Sequence, residues 1–254
     1  MDSPEQPGDV ASDMEVEMAK LSIPPKLDKP LYQMNEAARL LRLPDKTLRR
    51  WIDGDRRFER VMEPLIRPES TGSTDVTWGE FVEAGLLREF RHRSLPIERL
   101  RPLIAGLRER LGVPYPLAHA KPLFAGGREM LWDEQVASDM PQSMLLVVRG
   151  GPEDGYQLVL GEIAREYVSR VEFEPPETGV AARWYPAATR RIALDPRIAF
   201  GLPTINGVRT ETLAELTEAG EHASEIARIY SDLGISVGDV RDASDFERSL
   251  ATAA

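Results

Sequence analysis

The chain has 254 residues, of which 42% are apolar and 29% charged, with a formal net charge of −10 and no cysteine. That length accommodates one large domain or two or three small ones. The lack of cysteine excludes disulfides, thiolate metal sites and thiol redox chemistry, and no run of about 18 apolar residues exists to span a membrane as a helix.

Residues 1–30 carry three basic and seven acidic residues and prolines at positions 4, 7, 24, 25 and 30. So few large apolar groups cannot offset the entropy of ordering the segment, and it reads as a disordered acidic arm. It has no apolar core segment of the kind a secretory signal needs, and a cytoplasmic location is expected. The charge is distributed unevenly. Residues 31–111 carry a net +3, whereas residues 112–189 carry −5 and residues 190–254 carry −4. A single positive segment in an acidic chain is what attraction to phosphate predicts.

Within that segment, two short helical patterns meet at a turn. Ala37, Ala38, Leu40 and Leu41 give one apolar face, Leu43 and Pro44 mark the turn, and Leu48, Trp51 and Ile52 give a second apolar stripe. The spacing predicts helices over about 34–42 and 45–53 in a helix-turn-helix, whose second helix enters the major groove of DNA. Lys46, Arg49 and Arg50 would face solvent, while Trp51 reads as core. Residues 55–77 read as a wing. Phe58, Val61, Met62, Leu65 and Ile66 supply short strands, Glu69 to Asp75 forms a turn cluster, and Arg56, Arg57, Arg60 and Arg67 flank it.

Thr77 and Glu80 form a capping-box pattern before an apolar run, so a helix is expected over about 78–92, with Phe81, Leu86, Leu87 and Phe90 inward. Pro96 suits the first turn of another helix, in which Ile97, Leu100, Leu103, Ile104, Leu107 and Leu111 recur at helical spacing until Gly112. That face fits a dimer contact or core packing equally. Residues 113–190 are least legible. Strands are expected at Met144–Arg149, Tyr156–Leu160, Val171–Glu174 and Arg183–Tyr185, with a short helix at Glu162–Arg170. Arg191–Leu194 reads as a strand, and helices follow at about 210–219, 223–231 and 236–249. Ile226, Ala227, Ile229, Tyr230, Leu233, Val237, Val240 and Phe246 would form their core. The last helix should expose Asp239, Asp242, Asp245 and Glu247 beside Arg241 and Arg248. Phosphate would repel that face, so the tail reads as a packing module or protein-binding surface.

Two resemblances emerge from these residues. Residues 32–92 resemble the winged helix-turn-helix of MerR-like regulators through Tyr32, the run Glu36 to Leu41, Thr47 to Trp51, and Trp78 to Phe81. Arg42 departs from that pattern, which has glycine at the turn. Residues 191–247 are similar to the antitoxin module known as domain of unknown function 433. The matching residues are Asp195 and Pro196, then Gly201, Pro203, Ile205, Gly207 and Arg209, and the helices through Glu215–Gly220 and Glu225–Val240. The same module follows a winged helix in larger VapB-type antitoxins, whose middle region resembles Val76–Pro116. The resemblance implies a PIN-domain ribonuclease toxin as partner, and repression of the chain's own operon by a dimer bound to operator DNA.

The expected fold class is α+β, mainly α. It comprises the arm (1–30), a winged helix-turn-helix with following helices (31–112), a mixed middle region of short strands (113–190) and a trihelical, helix-turn-helix-like tail module (191–254). An enzyme is not expected. His92, His119 and His222 are far apart with no metal-ligand spacing, and neither a phosphate-binding loop nor a nucleophile elbow is present. No cofactor is expected. The expected DNA contacts are Lys46 and Arg50 on phosphates, Arg49 on a guanine edge, Thr47 as phosphate ligand or helix cap, and Arg56, Arg57 and Arg60 along the backbone. One such module makes a small interface, so a homodimer on a palindrome is expected. Under the resemblance, the toxin contacts are Arg190, Arg191, Arg197 and Arg209, with Arg209 also suited to tie its loop internally and Arg241 and Arg248 as further candidates. The alternative is a MerR-like transcription regulator whose middle region binds a small ligand, without a toxin. A third reading is an adaptor that binds only protein.

Overall fold

A short strand, β1 (Pro30–Gln33), leads directly into α1 (Met34–Leu41) and pairs antiparallel with β4 (Asp75–Thr77) across the intervening helix-turn-helix and wing. The computed structural model describes residues 25–57, 60–124, 126–151, 157–177, 179–187 and 189–252. The expected acidic arm lies almost wholly outside these residues, as do Phe58 and most of the turn at 150–155. The side chains of Arg56, Arg57, Arg60 and Val61 are likewise outside the description. Between β1 and β4 come α2 (Asp45–Asp53) and the wing hairpin of β2 (Asp55–Arg57) and β3 (Arg60–Met62). Leu65 and Ile66, expected in strands, instead lie buried in a bend whose N–H groups donate to the Trp51 carbonyl. They cover the end of α2 rather than extend the wing.

α3 (Trp78–His92) is the axis of the molecule. Thr77 and Glu80 close the reciprocal cap that the sequence predicts, and every residue from Trp78 to Phe90 is buried. A helix covered on all sides needs neighbours on all sides. The middle region supplies several of them. The Trp78 indole N–H donates to the Ala181 carbonyl at 2.6 Å, and the Tyr167 hydroxyl donates to the Leu117 carbonyl at 2.8 Å. The Trp184 ring lies so close to Gly85 that a Cβ there would sit 2.4 Å from it. One hydrophobic core therefore runs from Tyr32 through Trp184 and Leu194. α4 (Leu100–Leu111) turns Leu100, Leu103, Ile104 and Leu107 into that core, against α5 (Arg128–Ala137) and the Pro116–Ala118 turn. Of the two roles the sequence left open for α4, these residues serve core packing.

The middle region pairs β5 (Val147–Arg149) with β6 (Leu158–Leu160), and, after α6 (Glu162–Arg170), β7 (Val171–Glu174) with β8 (Val180–Trp184). Arg191–Leu194 is not a strand. Ala193 and Leu194 make only single bridges to Thr204 and Trp184, because the chain turns away at Asp195. The tail has its own small core of Ile205, Val208, Leu213, Ile226, Ile235, Val240 and Ala243. It is built from the hairpin β9 (Thr204–Ile205)/β10 (Val208–Arg209) and from α7 (Thr210–Glu218), α8 (Ala223–Ile229) and α9 (Val237–Ala251). Ile229 and Leu233, expected in this core, are 58% and 52% exposed, because α8 stops at Ile229 and turns its last residues outward. Asp239 and Glu247, expected on the surface, are turned to structural use. Asp239 closes a capping box with Ser236, and Glu247 faces Thr210 and Arg39.

α9 divides its apolar residues between two cores. Phe246 and Leu250 belong to the large one, so the tail is packed against the helix-turn-helix. The Tyr32 hydroxyl donates to the Gly201 carbonyl at 2.6 Å, Arg42 donates to Ser249 Oγ at 2.8 Å, and the Arg42 guanidinium lies 5.8 Å from the Phe246 ring centre.

Glu83, fully buried in α3, accepts a hydrogen bond from the Leu117 N–H, while its second oxygen has no partner among the described residues. Burial pushes its carboxyl up to about 8 from an ordinary 4.5, against the opposing pull of the Leu117 N–H and Arg108. The native state thus holds a proton that the unfolded chain releases. The stability this contributes is fully present below the unfolded value and is lost as pH rises through about 8. Urea denaturation near pH 6 and again above pH 8.5 should show Glu83→Gln losing less stability between the two conditions than the parent. Equal losses would assign that pH dependence to other groups.

Candidate nucleic-acid interface

The exposed face of α2 follows from what its other face buries. Leu48, Trp51 and Ile52 point into the core, at spacings of three and four residues. Lys46 and Arg50, four residues apart, are therefore exposed together, with Thr47 and Arg49 half-buried at the edges. Arg49 lies 3.8 Å from Asp45 one turn earlier, an open pairing that an incoming base edge or phosphate can displace. Pro44 is the N-cap and no side chain caps the helix, so Thr47 keeps its hydroxyl for other uses. The turn into α2 passes through Arg42 in the left-handed region, φ 53° and ψ 46°. Its N–H reaches back to Arg39, and the Leu43 N–H to Ala38, which closes α1 in the way a glycine usually does.

The wing is set by two contacts. Gly54, at φ 80°, starts the hairpin where a Cβ would meet the Met62 carbonyl at 2.3 Å. Register pairs Arg57 with Arg60 next to the hairpin tip. This backbone arrangement places the three expected wing arginines on one hairpin, next to the C-terminal end of α2.

Beneath both lies a residue read from the sequence only as a wing cation. Arg67 is 6% exposed. Its guanidinium donates to Glu80 at 2.7 Å, to Asp53 at 2.9 Å, to Thr71 Oγ1 at 2.7 Å and to the carbonyls of Ser73 and Asp75 at 3.1 and 2.6 Å. Asp53 also accepts from the Thr71 and Gly72 N–H groups. Burial works to raise the Asp53 carboxyl, but these donors outweigh it and hold it below the usual carboxylate range. Arg67 is thus no phosphate ligand. It fastens the end of α2, the wing loop and the start of α3 to one another.

The tail cations are placed differently from one another. Arg197 is 8% exposed and bonded to Asp195 and Glu174, which also engage Arg183. It braces the loop from beneath instead of standing on an open surface, because the loop turns at Asp195 and folds the guanidinium back. Arg209 pairs with Glu211, and Arg191 with Asp239 and Asp242, both with substantial exposure. Arg190 stacks 4.2 Å over the Tyr185 ring. Arg241 is exposed. The four expected toxin-contacting arginines therefore do not converge on one point.

The sequence reading gave Phe200 no role. It is 83% exposed, at φ 56°, between Ala199 at φ 47° and Gly201 at φ 77°. Three successive left-handed residues hold a large aromatic ring in water, on a loop fixed by Tyr32, Asp195 and Arg197. Strain of this kind persists only where surrounding contacts over-determine it. The available signal was a phenylalanine immediately before a Gly-x-Pro turn. As to metals, no group of three or more His, Cys, Asp or Glu residues among the described residues is placed to hold an ion.

Residues 30–104 match a family described as "Putative DNA-binding HTH domain". That span contains α1, the turn, α2 and the wing. "Putative antitoxin VapB45" of Mycobacterium tuberculosis is 32% identical over 248 residues, covering 93% of this chain and 98% of the relative. The chain belongs to the VapB-type antitoxin family. Another relative, "Uncharacterized protein Rv2308" of the same organism, is 31% identical over 236 residues, covering 91% of this chain and 95% of its own length. Among solved structures, the crystal structure of Rv2018 from M. tuberculosis superposes with a TM-score of 0.65 at 28% identity, covering 86% of this chain and 99% of that one. The VapB-type assignment extends over nearly the whole length, so it takes in the middle region that sequence patterns leave obscure. It makes this chain a regulator carrying a DNA-binding helix-turn-helix, mainly α with small antiparallel strand pairs. No helix among the described residues is long and apolar enough to cross a membrane.

In this VapB-type chain, removing the Arg67 guanidinium leaves the buried Glu80 and the partly buried Asp53 without their cation. Loss of one partner from such a pair costs about 3–5 kcal/mol. Arg67→Met should lower the unfolding free energy by about that amount, read as a lower denaturation midpoint. At temperatures where the variant remains folded, proteolysis should increase selectively within residues 53–77. An unchanged midpoint would refute the bracing role.

Proposed function

We propose that this chain is an antitoxin that represses its own operon through α2 and the wing and neutralises a PIN-domain ribonuclease toxin through its tail. The observation that carries the first half is the split face of α2, with Leu48, Trp51 and Ile52 inward and Lys46 and Arg50 outward. Lys46 and Arg50 take phosphates, Arg49 exchanges Asp45 for a guanine edge, and Arg56, Arg57 and Arg60 follow the backbone along the wing. Two copies bind a palindrome as a homodimer, since one module of this size covers too little DNA for strong binding.

Support for a toxin partner comes from the VapB45 relative and from the tail surface. Phe200 is the aromatic anchor, with Arg209 and Arg191 as flanking cations and Arg241 on the outer face of α9. An exposed aromatic held rigid enters a partner's pocket at low entropic cost, and such anchors carry a large share of interface energy. Arg197 acts here by holding that loop, not by touching the toxin.

Fluorescence anisotropy on a duplex from upstream of the chain's own gene tests the DNA half. Arg49→Ala should cost about 1–3 kcal/mol and relax sequence preference, while Lys46→Ala should weaken all duplexes alike. Equal effects on specific and unrelated DNA from both variants would remove Arg49 from base reading. For the partner half, co-expression with a PIN ribonuclease encoded beside this gene should restore growth, and the two chains should co-purify. Phe200→Ala should release the toxin while leaving operator binding intact. Retained co-purification would move the contact away from this loop.

A further inference from the structure

Arginines in this chain are mostly engaged. Among the described side chains, Arg39, Arg67, Arg93, Arg108, Arg170, Arg183 and others each hold a carboxylate or a backbone carbonyl. Arg50, Arg91, Arg99, Arg165 and Arg241 have no hydrogen-bonded, ion-paired or ring partner among the described residues. Two of these five, Arg50 and Arg91, fall in one place, where α2 meets the elbow between α3 and α4. Here an open groove runs between the flank of α2, with Thr47, Arg50 and Trp51, and the elbow, with Arg91, Ser94 and Glu98. Ser94 stands exposed at φ 55°, two residues past the end of α3. Arg50 belongs to two surfaces at once. It shares the outward face of α2 with Lys46 and also lines this groove.

We infer that the groove is a second phosphate site, in which Arg91 and Arg50 clamp one DNA backbone phosphate beside the recognition helix, with the Thr47 and Ser94 hydroxyls as donors. This rests on α2 being the DNA-reading helix. The chemistry of the lining fits a phosphodiester. It offers two guanidinium groups and two hydroxyls, with a single carboxylate at one edge. Two guanidinium groups lining one groove repel each other less when an anion lies between them. The groove lies on the opposite flank from the wing's anchor at Asp53. The recognition helix would thus be gripped from both sides, by the hairpin at one end and the α3–α4 elbow along its flank. Contacts to phosphate set the register of a helix in the groove without reading sequence. The elbow would therefore fix how deeply, and at what angle, Arg49 enters.

The test uses the full chain, a fluorescein-labelled duplex from upstream of its gene and an unrelated duplex of equal length, titrated over several salt concentrations. Arg91→Ala should weaken binding to both duplexes by a similar factor, about three- to tenfold, and reduce the salt slope by about 0.9, the loss of one phosphate contact. Arg91→Lys should recover most of the slope, since charge supplies it. Glu98→Gln, which removes the one carboxylate of the groove, should tighten binding to both duplexes. Arg91 and Glu98 are exposed, so thermal midpoints should stay at the parent value and confirm intact folding. Parent-like affinity and slope in Arg91→Ala would overturn the groove alone. A change confined to the specific duplex would overturn it too, by making Arg91 a base reader. Failure of the parent chain to bind either duplex would overturn both this inference and the assignment of α2 as the DNA helix.

Discussion

The architecture depends on one buried guanidinium. Arg67 is nearly excluded from water, and a charge so placed is tolerated only when its donors are satisfied. Its partners come from three separate stretches: Asp53 at the end of α2, Ser73 and Asp75 where the wing loop runs into β4, and Glu80 in the cap of α3. Glu80 does double duty, since it also accepts the Thr77 N–H that closes the cap. Bringing these stretches together aligns β4 with β1 and sets α2 at a fixed angle to the axis helix. The Gln33–Asp75 and Met34–Thr74 hydrogen bonds and the buried Tyr32 and Val76 then hold the two framing strands together across more than forty residues. The helix-turn-helix thus stands on a platform whose rigidity is electrostatic at its centre and apolar around it.

Much of this was legible in the sequence where a pattern was local. The apolar spacing of α1 and α2 gave their bounds to within a residue, and the Thr77–Glu80 pair located the start of α3. What escaped was non-local or masked by a polar core residue. α5 buries only Leu131 and Gln135 fully, and Gln135 earns its place through bonds to the backbone of Leu146 and Val147, not through an apolar side chain. No periodicity count finds such a helix. β1 went unseen because its partner is far away in sequence. Arg67 read as a surface cation because its carboxylates are 13 and 14 residues distant, beyond any local rule. Ile229 and Leu233 read as core because their spacing is correct for a helix that in fact ends at Ile229. Of the candidate site, Lys46 and Arg50 fell where the helical period put them, whereas Phe200 had no period to betray it.

The middle region is not a separate body hung between two modules. Its rings, Tyr167 and Trp184, complete the surroundings of α3, and Gly85 is the indentation into which Trp184 fits. The tail, by contrast, keeps a small core of its own and touches the rest through Phe246, Leu250, hydrogen bonds to Tyr32 and Arg42, and the ion pairs of Asp195 and Arg197 with Arg183 and Glu174. This is a graded construction: a head with the middle built into it, and a tail attached both to the first helix of the helix-turn-helix and to the β7–β8 pair.

That attachment bears on the turn at Arg42. Backbone geometry alone favours glycine there, because a left-handed arginine carries a cost of about 1–2 kcal/mol. The same side chain reaches the tail at Ser249 and lies over Phe246. One position thus answers two opposed demands, ease of folding locally and cohesion at long range. A glycine in its place would give a more relaxed turn within a looser molecule.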